Sequence, residues 1–168
     1  MKCLNVFSVD PGALDPTVED LEEVEHIRST IENAIPMLAE KGTVIDIWVS
    51  DMCLHAMSDQ VDWLLKARDA GILSPTAMFV LTLKCNIGHS AAAYDKQVEK
   101  EVARLDSIAT DVQTLHLFSN RSGERTIIGH LKTNPSFEMM RQLHPFQYPP
   151  RQESKLPQDQ GVGSDQVP

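Results

Sequence analysis

The sequence predicts an α/β fold, a doubly wound sheet of mainly parallel strands with a mixed edge. Three observations support this fold class. Short β-rich segments alternate with helical ones, one strand-like segment is almost continuously apolar, and the last two strands flank a short polar turn. Strands separated by helices favour parallel pairing, and a strand without polar alternation is typical of a sheet covered on both faces. The polar turn predicts an antiparallel hairpin at the carboxyl-terminal edge.

The amino-terminal half contains three predicted strands, at residues 4–9, 24–29 and 44–50. The first alternates apolar and polar residues and ends in Asp10-Pro11-Gly12, a sequence typical of a tight turn. A short helix is predicted around residues 18–23. The next helix is predicted to be capped by Asn33, with Pro36 in its first turn and its end at Gly42.

The second half contains two longer helices and three strands. One helix is predicted to be capped by Ser58 or Asp59 and to end near Gly71, and another covers residues 91–109. The almost continuously apolar strand occupies residues 77–83. The last two strands are predicted at residues 112–118 and 124–131, joined by the loop 119–123.

Composition favours one folded domain. The 168 residues are 42% hydrophobic and 23% charged, which is enough apolar material for a core. No segment approaches the roughly 20 apolar residues of a membrane span, so we expect that the protein is not an integral membrane protein. Residues 4–9 form too short an apolar run for a signal peptide. The three cysteines lack metal-ligand spacing and predict a reducing, intracellular compartment.

The carboxyl-terminal segment differs in composition from the rest of the chain. From Pro145 onward, 24 residues contain five prolines and five glutamines with few large apolar groups. Such a segment cannot bury enough surface to offset its ordering entropy. We therefore predict a folded domain at residues 1–134 and a disordered tail at residues 135–168.

Charge is unevenly distributed along the chain, whose net charge of −9 argues against nucleic-acid binding by the whole surface. Seven acids and no base lie between Asp10 and Glu25, whereas seven bases accompany six acids between Lys84 and Lys132. A polyanion could therefore approach the second region while the first repels it. An acidic run is also typical of a solvated surface, and that interpretation stays open.

Four charged residues lie where a site is expected. Ligands of open α/β sheets bind beyond the carboxyl ends of the strands. Asp10, Asp51 and Lys84 follow three such ends, and Glu124 reaches the same edge if its strand is antiparallel. A lysine at the end of a buried strand requires carboxylate partners. Taken singly, Asp10 could start a turn, Asp51 could cap the next segment, and Glu124 could be an edge-strand charge.

These segments resemble the FtsJ-like ribose 2′-O-methyltransferases, in particular the branch that modifies large-subunit ribosomal RNA. The resemblance lies in Val-Ser-Asp51-Met, in Leu-Thr-Leu-Lys84, and in Glu124-Arg-Thr-Ile-Ile-Gly at the start of the last strand. The sequence Ser-Val-Asp10-Pro-Gly resembles the acidic end of that family's second strand. The resemblance covers about residues 4 to 132.

The resemblance implies a Rossmann-like class I methyltransferase sheet, S-adenosylmethionine as the cofactor, and an RNA ribose, in ribosomal RNA, as the acceptor. Asp51, Lys84 and Glu124 match the last three members of the family's Lys-Asp-Lys-Glu tetrad. The residues implied for cofactor binding are Asp10, Pro11, Asn33 and Asp51. Lys84 would either deprotonate the ribose 2′-hydroxyl or orient it as a cation, and the sequence leaves both roles open.

The family's first strand, glycine-rich loop and first tetrad lysine have no counterpart in this sequence. The only Gly-x-Gly is Gly161-Val-Gly163 in the tail. A loop of this kind lets the backbone approach a cofactor, so its absence should lower the affinity. The sheet is therefore expected to lack its first strand, leaving two strand edges without a neighbour. The chain could be part of a longer protein, the edges could meet, or another chain could fill the gap.

A second functional hypothesis follows from the absent loop and the acidic balance. The chain could be a non-catalytic interaction module, a methyltransferase-like partner in a ribonucleoprotein or a heterodimer. No metal site is predicted, because the six histidines lack ligand spacing. Cys53 and Cys85 are interpreted as packing residues.

Overall fold

The computed structural model describes residues 5–85 and 90–133, in two sheets and four helices. The predicted tail, with its Gly-x-Gly, lies outside the described residues. The strands are β1 (Val6–Val9), β2 (Val24–Ile27), β3 (Ile45–Ser50), β4 (Leu73–Lys84), β5 (Ala109–Leu115) and β6 (Glu124–Leu131). The helices are α1 (Pro16–Glu19), α2 (Ile31–Glu40), α3 (Ser58–Asp69) and α4 (Ala91–Asp106).

The predicted α/β class with a mixed sheet is confirmed. β1 and β2 pair in parallel as a two-stranded sheet. The second sheet has the order β3-β4-β6-β5, with β3 parallel to β4 and β6 antiparallel to both of its neighbours. Within the described residues β1 and β3 therefore belong to separate sheets, as expected if a strand between them is lacking.

The four-stranded sheet has two unlike faces. The first, here called the covered face, carries Phe79, Leu81 and Leu83 of β4 and Ile127 of β6, all at 0% exposure. The second, here called the open face, carries the alternate residues. On β3 it exposes 47% of Ile47 and 69% of Val49, which are paired with Met78 and Val80 of β4.

Helices α3 and α4 pack on the covered face. Ser50 of β3 is hydrogen-bonded to Gln60 of α3, and the Tyr94 hydroxyl of α4 donates to the carbonyl of Leu83 at 3.0 Å. An ion pair between Arg104 and Asp62 joins the two helices. Burying each large apolar side chain on this face contributes about 1.5–3 kcal/mol to stability. The covered face is therefore the main core of the domain.

Several element boundaries differ from the predictions. Helix α2 begins at Ile31 with Thr30 as its N-cap, so Asn33 lies inside the first turn and Pro36 one turn later. The Thr30 carbonyl accepts from the backbone N–H of Asn33, a bond that a side-chain pattern does not reveal. Helix α1 starts at Pro16, earlier than predicted, because the Asp15 carboxylate accepts from the Thr17 N–H at 2.9 Å.

The region after α4 also differs. The helix ends at Asp106 and β5 begins at Ala109, two residues that periodicity alone places in one helix. Ala109 pairs with Leu131 of β6, so strand pairing overrides the helical pattern there. β5 contains a register irregularity between Thr110 and Gln113, where Asp111 adopts a positive φ of 55°. Such a bulge interrupts the outer edge of the sheet.

Gly129 is required by close packing. It lies opposite Phe79 in the β4–β6 pair, and a Cβ atom at this position would stand 2.6 Å from Cζ of the Phe79 ring. The ring thus occupies the space that any other residue would fill.

None of the described helices is long and apolar enough to cross a bilayer.

Candidate active site

The carboxyl ends of β3 and β4 bring Lys84 and Asp51 into contact. The Lys84 ammonium donates to the Asp51 backbone carbonyl at 2.8 Å and lies 3.1 Å from Oδ2 of the same residue. A third contact, to Sγ of Cys53, measures 3.5 Å. The side chain of Lys84 is 14% exposed and that of Asp51 is 67% exposed. The site thus pairs a largely buried cation with an accessible carboxylate.

The position of Asp51 is set by a buried polar pair. The Ser50 hydroxyl donates to Oε1 of Gln60, and the Gln60 amide donates to the Met52 carbonyl at 2.7 Å. Gln60 is buried in α3, and its two bonds hold the Ser50 side chain and the Met52 backbone carbonyl, on either side of Asp51. Neither Ser50 nor Gln60 was predicted as a positioning residue from the sequence. The sequence does contain a signal for Gln60. This polar residue lies on the apolar stripe of its helix, one turn before Leu64.

The electrostatics of Lys84 favour the charged form. Burial lowers the pKa of Lys84, but hydrogen bonds and charge interactions with Asp51 and Cys53 outweigh it, so the pKa of Lys84 is raised above its usual value. A lysine with a raised pKa is almost fully protonated at neutral pH. This environment favours an orienting cation over a general base.

Glu124 lies next to the site but directs its carboxylate elsewhere. It is directly opposite Lys84 in the β4–β6 pair. Its Oε2 accepts from the backbone N–H of Arg121 at 2.9 Å, and its own N–H donates to the Arg121 carbonyl at 3.0 Å. Among the ion pairs of the described residues, that of Lys84 is with Asp51. The structure therefore brings two of the three predicted catalytic residues into contact and places the third across the strand pair.

Asp10 and Pro11 form a turn at the carboxyl end of β1. Oδ1 of Asp10 accepts from the Gly12 N–H at 2.6 Å, and the Pro11 carbonyl accepts from Nε of Arg28 at 3.3 Å. His26 braces the same turn, with Nε2 3.0 Å from the Gly12 carbonyl and Nδ1 3.1 Å from the Ser8 carbonyl. The sequence left open that Asp10 could simply start a turn, and its geometry agrees with that alternative. Its exposed carboxylate is still accessible to a ligand.

Asn33 is exposed on the first turn of α2, the helix that follows β2. Val9 pairs with Ile27, so the carboxyl ends of β1 and β2 lie at one edge of the small sheet. Asp10, Pro11 and Asn33 therefore share that edge. Asp51 and Lys84 occupy the corresponding edge of the large sheet.

Cys53 corrects the prediction of two packing cysteines. Cys53 is exposed and its sulfur contacts Lys84, whereas Cys85 is partly buried against the core. Cys53 lies in the irregular segment between Asp51 and α3, where its side chain remains exposed instead of entering the core. Within the described ranges, no group of three or more His, Cys, Asp or Glu residues is arranged to hold a metal ion.

Solved structures with a similar fold include two described next. A fibrillarin pre-rRNA processing protein of Methanococcus jannaschii matches with a TM-score of 0.57 at 11% identity, over 77% of this chain and 57% of that protein. A putative SAM-dependent methyltransferase from Streptococcus mutans matches with a TM-score of 0.51 at 14% identity, over 77% of this chain and 38% of that protein.

This likeness shows the fold alone, a Rossmann-like α/β fold with a mixed sheet. The chain spans 57% of the first protein's length and 38% of the second's. No protein-family model and no curated protein sequence matches the chain.

Proposed function

We propose that this chain carries the catalytic edge of an S-adenosylmethionine-dependent RNA ribose 2′-O-methyltransferase of the FtsJ-like kind, acting on ribosomal RNA inside the cell. One observation carries the proposal: a largely buried lysine is held as a cation by an aspartate at the carboxyl edge of the central strand. In open α/β sheets this edge is where ligands bind. The methyltransferase fold and the resemblance of the strand-end motifs support the same assignment.

Lys84 acts in this proposal on the acceptor oxygen. Its ammonium has three N–H donors, two of which meet oxygens of Asp51. The third points to the Cys53 sulfur at 3.5 Å, the weakest of the three contacts, and a ribose 2′-oxygen would replace it. The cation then orients the oxygen lone pair and stabilises the oxygen as its proton leaves for the exposed Asp51 carboxylate.

The residues of the small sheet fit part of the cofactor. S-adenosylmethionine would supply an already activated methyl group, so the protein has to align two molecules and manage one proton. The exposed Asp10 carboxylate suits a pair of ribose hydroxyls, with Pro11 and Asn33 at the same edge. Within residues 5–85 and 90–133, no glycine-rich loop approaches this edge. We therefore expect weak cofactor binding by this chain alone.

The test combines binding and transfer. Calorimetry measures S-adenosylmethionine affinity, and nucleoside analysis of ribosomal RNA after the reaction detects 2′-O-methylated products. Lys84→Met should lower transfer by at least about 100-fold, because positioned acid–base groups contribute factors of this size. Cofactor affinity should not change. Absence of any 2′-O-methylated nucleoside with the wild-type chain would contradict the proposal.

A matched control is available at Lys41. This lysine is also ion-paired, with Glu25, but it lies at the end of α2 and is half exposed. Lys41→Met should leave transfer unchanged. Equal losses in the two variants would show that the effect of Lys84→Met is not specific to the site.

The structure also favours a second candidate function, a non-catalytic interaction module. β1 and β3 lie at the edges of separate sheets, and Ile47 and Val49 expose apolar surface on β3. The buried indole N–H of Trp48, also on β3, has no hydrogen-bond partner in the part of the chain that the structure describes. A strand from a partner chain, or from a segment outside the described residues, could pair with these edges and supply an acceptor.

The two functions respond to different substitutions. If the chain is an interaction module, Val49→Asp should abolish its association with the partner chain, measured by analytical ultracentrifugation. Lys84→Met should leave that association intact. Leu21→Asp is the control, since Leu21 is half exposed outside both sheets. Full association of Val49→Asp would exclude this edge as the contact surface.

A further inference from the structure

The segment between β5 and β6 presents a phenylalanine entirely to solvent. Phe118 is 105% exposed, the highest value among the large apolar residues of the described chain. Its neighbours Ser119 and Arg121 are polar or charged and are also exposed. Leu117, the residue before it, is 39% exposed. A fully exposed aromatic ring offers its flat faces to a ligand.

The turn behind Phe118 is held by hydrogen bonds. The Leu117 N–H donates to Oδ1 of Asn120 at 2.8 Å, and the Asn120 N–H donates back to the Leu117 carbonyl at 3.0 Å. The same Oδ1 accepts from the hydroxyl of Thr126 at 3.2 Å, and Thr126 is 1% exposed. A buried residue of β6 thus anchors the turn, and the ring is presented from a braced backbone.

This turn adjoins the candidate active site. The Cys85 N–H donates to the Gly123 carbonyl at 2.9 Å, directly after the strand end that carries Lys84. Glu124, at the end of the segment, lies opposite Lys84. The segment that carries Phe118 therefore leads directly to the strand ends that hold Lys84.

The segment offers one exposed cation to a phosphate. No acidic residue occurs between Asp111 and Glu124, and Arg121 adds an exposed positive charge within that stretch. The acidic segment from Asp10 to Glu25 has the opposite character. Arg121 can therefore pair with one phosphate, whereas the segment from Asp10 to Glu25 would repel a phosphate backbone.

We propose that Phe118 is a stacking platform for an unpaired nucleobase of the RNA acceptor, with Arg121 beside the adjoining phosphate. This inference rests on the proposed function, because it names a contact of the same acceptor. Stacking on an aromatic side chain tolerates any base, since every base has a π-face. Phe118 would hold the strand next to the modified ribose without selecting its sequence.

The experiment measures affinity for a fluorescein-labelled single-stranded RNA oligonucleotide by anisotropy at constant salt. Phe118→Ala should raise Kd by about 5- to 150-fold, the range found for loss of one stacked base. Phe118→Leu should weaken binding similarly, since it keeps apolar volume but loses the ring, and Phe118→Trp should retain affinity. Leu21→Ala is the control for loss of an exposed apolar side chain.

Salt dependence separates the two contacts. Phe118→Ala should leave the slope of log Kd against log salt unchanged, whereas Arg121→Gln should reduce its magnitude by about 0.7, the value for one phosphate contact to a single strand. S-adenosylmethionine affinity should stay at the wild-type value in both variants, which shows that the fold persists.

The outcomes distinguish this inference from the proposed function. If the wild type binds RNA and forms 2′-O-methyl nucleosides while Phe118→Ala or Phe118→Leu binds as tightly as the wild type, stacking is overturned and the proposed function stands. If the wild type neither binds nor methylates RNA, both fail. If Phe118→Ala changes the molecular mass in solution but not the RNA affinity, Phe118 is a protein contact and the inference is overturned.

Discussion

The two faces of the four-stranded sheet are built from similar residues but have different surroundings. On the covered face Phe79, Leu81 and Ile127 are completely buried against helices. On the open face Ile47 and Val49, from the neighbouring strand, remain largely exposed. Composition alone does not separate the two sets, since both are aliphatic or aromatic.

The difference separates stability from binding. Apolar side chains contribute to folding in proportion to the area they remove from water, so the covered face supplies most of the stability. Lys84 lies on the open face, because every second residue of β4 points to the same side and Lys84 is in the series of Met78 and Val80. The candidate site is therefore on the side of β4 where surface remains available for a ligand or a partner.

The largest expected effect is the loss of the Phe79 ring. Phe79→Ala should lower the free energy of unfolding by about 3–5 kcal/mol, because it removes a fully buried ring and leaves a cavity. Urea denaturation followed by circular dichroism measures this change. A loss below about 1 kcal/mol would mean that the helices do not pack on this face as described.

The second effect tests the space above Gly129. Gly129→Ala should cost about 1–3 kcal/mol, because the new methyl group would meet the Phe79 ring at 2.6 Å. The double variant Gly129→Ala/Phe79→Leu should be more stable than the sum of the two single changes predicts. Strict additivity would contradict a direct steric contact.

The third effect concerns Tyr94, whose hydroxyl caps the covered face at Leu83. Tyr94→Phe should cost about 0.5–1.5 kcal/mol through the lost hydrogen bond. Burial raises the pKa of Tyr94 to about 12. Because the folded-state pKa lies above the usual value of about 10, this contribution is complete below pH 10 and is lost as the pH rises towards 12.

Ultraviolet absorbance of tyrosinate checks the titration. The wild-type protein should show a phase near 12 that Tyr94→Phe removes, and the stability difference between the two proteins should shrink across the same pH window. A Tyr94 phase at the usual tyrosine pKa would show that the hydroxyl is solvated.

The smallest effect is expected on the open face. Val49→Thr should change the free energy of unfolding by less than about 0.5 kcal/mol, as for other substitutions at exposed positions. A loss comparable to that of Phe79→Ala, in the same urea experiment, would show that this face is buried in solution. The contrast between the two faces would then be wrong.

Much of the fold could be predicted from the sequence because each element has a local signal. Helix α3 and strand β6 begin where they were predicted, and β4 contains the predicted apolar run 77–83 but begins four residues earlier, at Leu73. Boundaries were less accurate where long-range pairing competes with local periodicity, as at Ala109. The meeting of Asp51 and Lys84 followed from parallel strand order, since adjacent parallel strands end at one edge.

What the sequence by itself determined is therefore the order of the elements and the residues at the strand ends, since these depend on side-chain period and turn chemistry. Only the tertiary structure decided that Glu124 bonds to Arg121, that Gln60 holds the Asp51 turn, and that β1 and β3 lie in separate sheets. These features depend on atoms brought together from distant positions. Their hydrogen bonds and packing cannot be read from the periodicity of side chains along the sequence.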